Sequence, residues 1–340
     1  MDIGLVLQGG GALGAYEWGA INRLIEVGMR PVAVSGVSIG AINAAVIAGA
    51  PHGDIRANLN ELWTSISLPD MPLLPRQVQA DMALFGNPSF FLPRRDYWTM
   101  ASWKSFYSVA PMYDTLNRLV DWDRLNDPTI TKVSVAATRL EDGRAVRFRN
   151  LDTELDARHI LASGSLPPGF PMTEIDGSHY VDGGIFSNTP IPGLLGLLDD
   201  EQLDSLQIFV ISLFPREDVV PKNILEMENR VKELTYENRI EAEYGGVVGM
   251  HEYGEMARQL HERFKDDPKF ADNRAAHRLG RQRALAHLHV IEAPHAPTSG
   301  DRDFSEPSIK SRRQVGYDAA QGWLEVHREQ LSKEIVKNID

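Results

Sequence analysis

Ser38 sits at the centre of Gly36-Val37-Ser38-Ile39-Gly40, a G-x-S-x-G spacing between the apolar run "VAVSG" and the apolar segment "IGAINAAVIAGA". A serine on a sharp strand-to-helix turn presents its hydroxyl as a nucleophile, and glycines two before and two after it allow tight packing. The N-terminal end of the following helix favours negative charge developing at the serine oxygen. Acyl transfer then needs backbone N–H donors for the oxyanion, and the triplet Gly9-Gly10-Gly11 near the start of the chain offers them. Gly10 and Gly11 are the two donors this reading selects, each worth about 3–4 kcal/mol of transition-state stabilisation.

The same glycines carry a competing reading. Gly9, Gly11 and Gly14 satisfy G-x-G-x-x-G, the phosphate turn of a dinucleotide site and hence of an NAD(P)-dependent oxidoreductase. That site also needs an acid at the end of the second strand, to hold the ribose hydroxyls. Ser35-Gly36 stands there instead, and Glu26 belongs to the preceding helix. The oxyanion reading is preferred. For the base, Asp182 ends a short strand and is followed by Gly183-Gly184, on the side of the sheet where α/β sites form. His295, in a loop after the last strand, is the alternative, as in a Ser-His triad esterase. Ser38 follows only the second strand, whereas that hydrolase fold places its nucleophile after several more, which argues for a different architecture.

Apolar runs bounded by turn residues predict strands at Gly4–Leu7, Val32–Gly36, Lys132–Thr138, Ala145–Arg149, His179–Asp182, Leu206–Leu213 and His287–Ile291. Helical patterns cover Leu13–Val27, Ile39–Ala48 and about Lys310–Val336. Alternation of the two predicts an α/β fold: a mostly parallel central sheet with helices on both faces and a helical C-terminal part. Residues 1–215 are read as the catalytic domain and 216–340 as a mainly helical extension packed on the same core. An aromatic, proline-rich insertion occupies residues 84–113. Its Phe90, Phe91, Trp98, Trp103 and Phe106 read equally as a cap that holds an acyl chain or touches lipid, and as buried packing.

The chain has 340 residues, 43% hydrophobic and 24% charged, with a formal net charge of -12. That charge argues against nonspecific binding to nucleic acid or to a strongly anionic membrane. Without cysteine there is no disulfide, thiolate nucleophile or Cys-ligated zinc, which suits a reducing cytoplasm. The N-terminus lacks the basic and long apolar parts of a signal peptide, and no apolar run reaches the ~20 residues of a spanning helix. A cytoplasmic location is expected. Among the ten histidines, His179 reads as structural, and His251 and His261 lie on a polar helix with no H-E-x-x-H pattern. His287 and His289, on one strand face, lack a third ligand, so no metal is expected. Ser163 and Ser165 read as shaping the loop before Pro167-Pro168.

Taken together, these motifs strongly resemble the patatin-like phospholipase family. Gly9-Gly10-Gly11-Ala12-Leu13-Gly14 resembles its glycine-rich oxyanion motif, Gly36–Gly40 its elbow, and Asp182-Gly183-Gly184 its D-G-[GA] box. "ASGSLPPGFP" (Ala162–Pro171) resembles its intermediate block, and Asn188-x-Pro190 follows at the family's spacing. The motifs fall in the family's order over residues 5 to 190. The resemblance implies a Ser38–Asp182 dyad without histidine, no cofactor and no metal. It also implies an acyl-ester lipid as substrate, hydrolysed through an acyl-enzyme. Leu13 departs from the Arg or Lys of many family phospholipases, which favours a neutral ester. A catalytically silent lipid-binding scaffold, transient membrane contact and a homo-oligomer stay open.

Overall fold

The computed structural model describes residues 1–214, 244–271, 273–293 and 300–331, with isolated positions between 220 and 240 and at 336 and 338. Eight strands form one sheet: β1 (Asp2–Leu7), β2 (Arg30–Val37), β3 (Lys132–Arg139), β4 (Ala145–Arg149), β5 (Thr173–Ile175), β6 (Ser178–Asp182), β7 (Gln207–Ser212) and β8 (Leu288–Glu292). Their order is β8-β7-β1-β2-β3-β6-β5, with β4 also on β3. The first five in that order run parallel, and β4, β5 and β6 are antiparallel at one end. The central strands are continuous apolar runs because helices cover both faces; β1 is buried from Ile3 to Leu7.

The helices around the sheet include α1 (Ala15–Glu26), α2 (Ile39–Ala48), α3 (Ile55–Ser65), α4 (Ala110–Leu119), α5 (Ala157–Ser163), α6 (Ile191–Leu195), α7 (Val247–Phe264) and α8 (Glu306–Val326). Every residue of α2 is buried, as expected for a helix that is apolar all round. α1 packs along α8 with the backbones nearly in contact. A Cβ on Gly316 would come within 2.0 Å of the Tyr16 carbonyl oxygen. Late-chain elements thus complete the early sheet: β8 pairs with β7, and Ile309, Ala320 and Leu324 of α8 join the main core.

The structure departs from expectation in three places. Thr173–Ile175 is a strand too short for a period to show. His287 closes a 3-10 turn, Gln282–His287, rather than sharing a strand face with His289. The last helix starts at Glu306, where Pro307 suits a first turn, and stops at Val326. Within the insertion, Leu92–Pro93 pairs with Tyr107–Ser108 and a helical turn lies at Tyr97–Ser102; two more, Arg76–Asp81 and Met82–Phe85, lead into it.

A buried carboxyl braces α2 from below. Glu17 of α1 is fully enclosed; its Oε2 accepts from Asn43 Nδ2 at 2.8 Å, and Asn43 Oδ1 accepts from Trp63 Nε1 at 3.0 Å. Burial raises the Glu17 pKa well above its ordinary value of 4.5, against the opposing pull of Asn43 and the Gln8 backbone N–H. The folded chain therefore keeps a proton that the unfolded chain releases. This contribution to stability is present below pH 4.5 and is lost as pH rises toward the folded value. The slope is about 1.4 kcal/mol per pH unit. Glu17→Gln removes it, so in urea denaturation the variant should gain on the wild type as pH rises from about 5 to about 8. A pH-independent difference would mean that Glu17 is ionised in the fold.

Candidate active site

β3 brings the two catalytic candidates together. Ala136 pairs with Val37 of β2 on one edge and Arg147 of β4 on the other. The next residue, Ala137, pairs with Val146 of β4 and Asp182 of β6. β2 and β6 therefore occupy the same edge of β3 end to end, from opposite directions. They meet where one ends at Val37 and the other at Asp182. Ser38 is the first residue past that junction, which sets it beside Asp182.

Ser38 has φ 54° and ψ -123°, a sparsely populated backbone state that costs on the order of 1–3 kcal/mol unless the surroundings impose it. They do so through Ser163: the Ser38 N–H donates to its Oγ at 3.0 Å and to its carbonyl at 3.2 Å, while that hydroxyl donates to Ala136 O at 2.5 Å. Gly36 faces the turn so closely that a Cβ would lie 2.3 Å from the Gly40 carbonyl oxygen. Gly40 opens α2 against the carbonyls of Leu7 and Gln8.

Asp182 is 3% exposed. Burial pushes its carboxyl up to about 6, against the opposing pull of the Ser38 hydroxyl and of the Gly184 N–H, which donates to Oδ1 at 2.7 Å. Its own N–H donates to Ser165 O at 3.0 Å, and its carbonyl accepts from Thr138 Oγ1 at 3.1 Å. Gly183 packs against Ala136 O beside it.

The glycine loop lies across this junction. Gly9 packs on Ser38 Cβ; its N–H donates to Asn188 Oδ1, and Asn188 Nδ2 donates back to Gly9 O, both at 3.0 Å. Gly11 has φ +54°, and a Cβ there would meet the Asp301 carbonyl oxygen at 2.5 Å. That same carbonyl accepts from the Ala12 N–H at 2.8 Å. Among the described residues, the N–H groups of Gly10 and Gly11 donate to no backbone carbonyl. Gly14 packs on Ile39, and Leu13 is buried in the core.

A cavity of about 580 Å³ opens on Ser38 and Gly11, within the usual range for a small-molecule site. Its wall is mostly apolar and includes Ile42, Phe90, Phe91, Leu161, Phe170 and Phe304. The rings of Phe90 and Phe304 lie edge to face at 5.4 Å, those of Phe91 and Tyr107 at 4.9 Å. The aromatic insertion thus does two things: Phe90 and Phe91 are buried and line the cavity, whereas Trp98 and Phe106 are exposed.

Three features were hidden from the sequence. Ser163 ends α5 and holds the nucleophile's amide rather than shaping a loop. The Gly9–Asn188 exchange joins the two ends of the motif series. Asp301, Arg302 and Phe304 wall the cavity from the late part of the chain. Asn188 carried a signal through its spacing after Asp182, and Ser163 through its place in the block Ala162–Pro171. Among the other candidates, His179 bonds to exposed Glu141 at 2.8 Å, and His289 bonds to Gln207 at 2.7 Å. His251 bonds to Leu288 O, while a Cβ on Gly280 would lie 3.0 Å from His261. His295 lies outside the described residues. At the dinucleotide position, Ser35 donates to Pro190 O, and Glu26 is tied to Arg56 and Tyr317. Among the described residues, no group of three metal-ligating side chains is placed to hold an ion.

A family model described as patatin-like phospholipase matches residues 5–195, and one described as patatin phospholipase matches residues 236–334. No curated protein matches the chain. Among solved structures, VipD from Legionella pneumophila is similar at a TM-score of 0.42 and 16% identity, covering 96% of this chain and 67% of its own. The heterodimeric ExoU–SpcU complex from the type III secretion system of Pseudomonas aeruginosa gives 0.29 and 18%, covering 99% and 74%. Likenesses at these scores carry no argument about the site.

The Gly9–Asn188 exchange predicts a stability effect. Asn188→Ala leaves two buried backbone groups unpaired and should lower the unfolding free energy by about 1–3 kcal/mol in urea. An unchanged midpoint would mean that the loop is held by other contacts.

Proposed function

We propose, from the premise that the chain belongs to the patatin-like phospholipase family and so is a lipid acyl hydrolase, that it works through a Ser38–Asp182 dyad and an acyl-enzyme. The observation that carries this reading is the placing of Ser38 beside a buried Asp182, on the end-to-end junction of β2 and β6. Ser38 Oγ attacks the ester carbonyl carbon as its proton passes to the Asp182 carboxylate. The carbonyl π electrons become the oxyanion's charge, facing the N–H groups of Gly10 and Gly11 and the N-terminal end of α2. Collapse of the tetrahedral intermediate breaks the bond to the leaving alkoxide, which takes the proton from Asp182. Water then repeats the sequence on the acyl-serine: Asp182 accepts its proton, and Ser38 leaves with it. A carboxyl of ordinary pKa is a poor base; burial moves Asp182 nearer to neutrality and so improves it.

The apolar wall fits an acyl chain, and buried Leu13 supplies no charge beside the glycines, which favours neutral acyl esters. Residues 1–215 are assigned as the catalytic domain and 216–340 as a helical extension on the same core. The setting is read as cytoplasmic, in keeping with a chain free of cysteine. No helix among the described residues is long and apolar enough to cross a membrane.

Hydrolysis of p-nitrophenyl esters of graded chain length tests the mechanism. Ser38→Ala and Asp182→Asn should each lose about 10²–10⁴-fold or more in kcat/KM. Retained activity in Asp182→Asn would remove the dyad and turn attention to His295→Ala. Because the base must be ionised, wild-type kcat/KM should fall as pH drops through about 6 and level off above it. A flat profile down to pH ~4, the ordinary aspartate range, would show that burial does not tune the base. Leu161→Trp, which fills part of the cavity, should shift the optimum toward shorter acyl chains. An unchanged chain-length profile would place the chain elsewhere.

A further inference from the structure

The insertion that walls the cavity also carries an unusual surface. Between residues 71 and 106 the apolar side chains of Leu73, Phe85, Tyr97, Trp98, Met100 and Phe106 stand in solvent, with Trp98 85% exposed and Phe85 76%. Large exposed rings concentrated in one segment of a soluble chain mark a contact surface. This segment holds four basic and two acidic residues within a chain whose net charge is -12. Arg76, Arg95 and Lys104 are exposed, while Arg94 is paired with Asp96 and lies over the Trp103 ring at 5.2 Å.

The surface is continuous with the cavity. Leu84, beside Phe85, and Phe106 are exposed and also line it. The loop carrying Tyr97 and Trp98 is closed at its base by the Arg94 N–H bond to Phe106 O at 3.0 Å, and Phe106 N–H bonds to Pro168 O, also at 3.0 Å, on the cavity wall. Tyr107 hydroxyl donates to Leu84 O at 3.0 Å, tying the two parts of the segment together.

We infer that residues 71–106 form an interfacial docking face that seats the enzyme on a phospholipid bilayer, with the cavity opening into the layer that holds its substrate. This rests on reading the cavity as the acyl site. Aromatic side chains with a polar handle settle at the level of the headgroups, and flanking cations meet the phosphates there. A long-chain ester would then move from bilayer to cavity along apolar surface without passing through water. A water-soluble ester needs no such route.

The test separates docking from chemistry. The full chain carrying Ser38→Ala, which leaves lipid intact, is sedimented with phosphatidylcholine vesicles. Adding Phe85→Ala and Trp98→Ala together should weaken partition by about tenfold or more. Trp98→Phe alone, which keeps a ring, should retain most binding, and Val326→Ala, exposed on the last helix, should bind normally. With Ser38 restored, the double variant should hydrolyse p-nitrophenyl butyrate at the wild-type rate yet lose activity on vesicles. Absence of vesicle binding by the parent chain, binding unchanged by the double substitution, or equal loss with Val326→Ala would overturn the docking face. Failure of the wild type to hydrolyse the soluble ester would instead overturn the hydrolase reading, with the vesicle-binding result standing separately.

Discussion

The constraint on which the rest depends is that two strands share one edge of β3. Ladder hydrogen bonds fix β2 and β6 along that edge, so their ends are placed to the accuracy of a sheet rather than of loops. Elements outside the sheet act on this junction. Ser163 from α5 imposes the unusual backbone of Ser38, Glu17 and Asn43 steady α2 beneath it, and Asn188 draws the glycine loop over it. A site that needs reacting groups within hydrogen-bond reach gains most from being built on rigid ladders.

Electrostatics follows from the same placement. At the end of a buried strand Asp182 has little water, so its carboxyl is harder to ionise. Ser38 and the Gly184 N–H keep that shift moderate. His289 and His179 are engaged elsewhere, with Gln207 and Glu141.

Much of this was legible in the sequence, for reasons that vary by element. Buried parallel strands are near-continuous apolar runs, so β1, β2, β3 and β7 announce themselves, and α2 falls at Ile39–Ala48 as its pattern predicts. The glycines at 11, 36, 40 and 183 showed because a backbone carbonyl oxygen stands 2.3–2.5 Å from where a Cβ would be. Thr173–Ile175 was invisible because three residues carry no period. Ser163 was misread because its task is a tertiary hydrogen bond, which local spacing does not encode. The insertion looked ambiguous because its aromatics divide: Phe90 and Phe91 pack inward while Trp98 faces out.

Gly11 and Ala12 take their conformation against the carbonyl of Asp301. The glycine loop lies near the start of the sequence, whereas the carbonyl that shapes it lies far along it, beyond every strand of the sheet. The loop's own residues therefore do not hold its shape alone. A change around Asp301 reaches that loop as directly as a change among the glycines themselves.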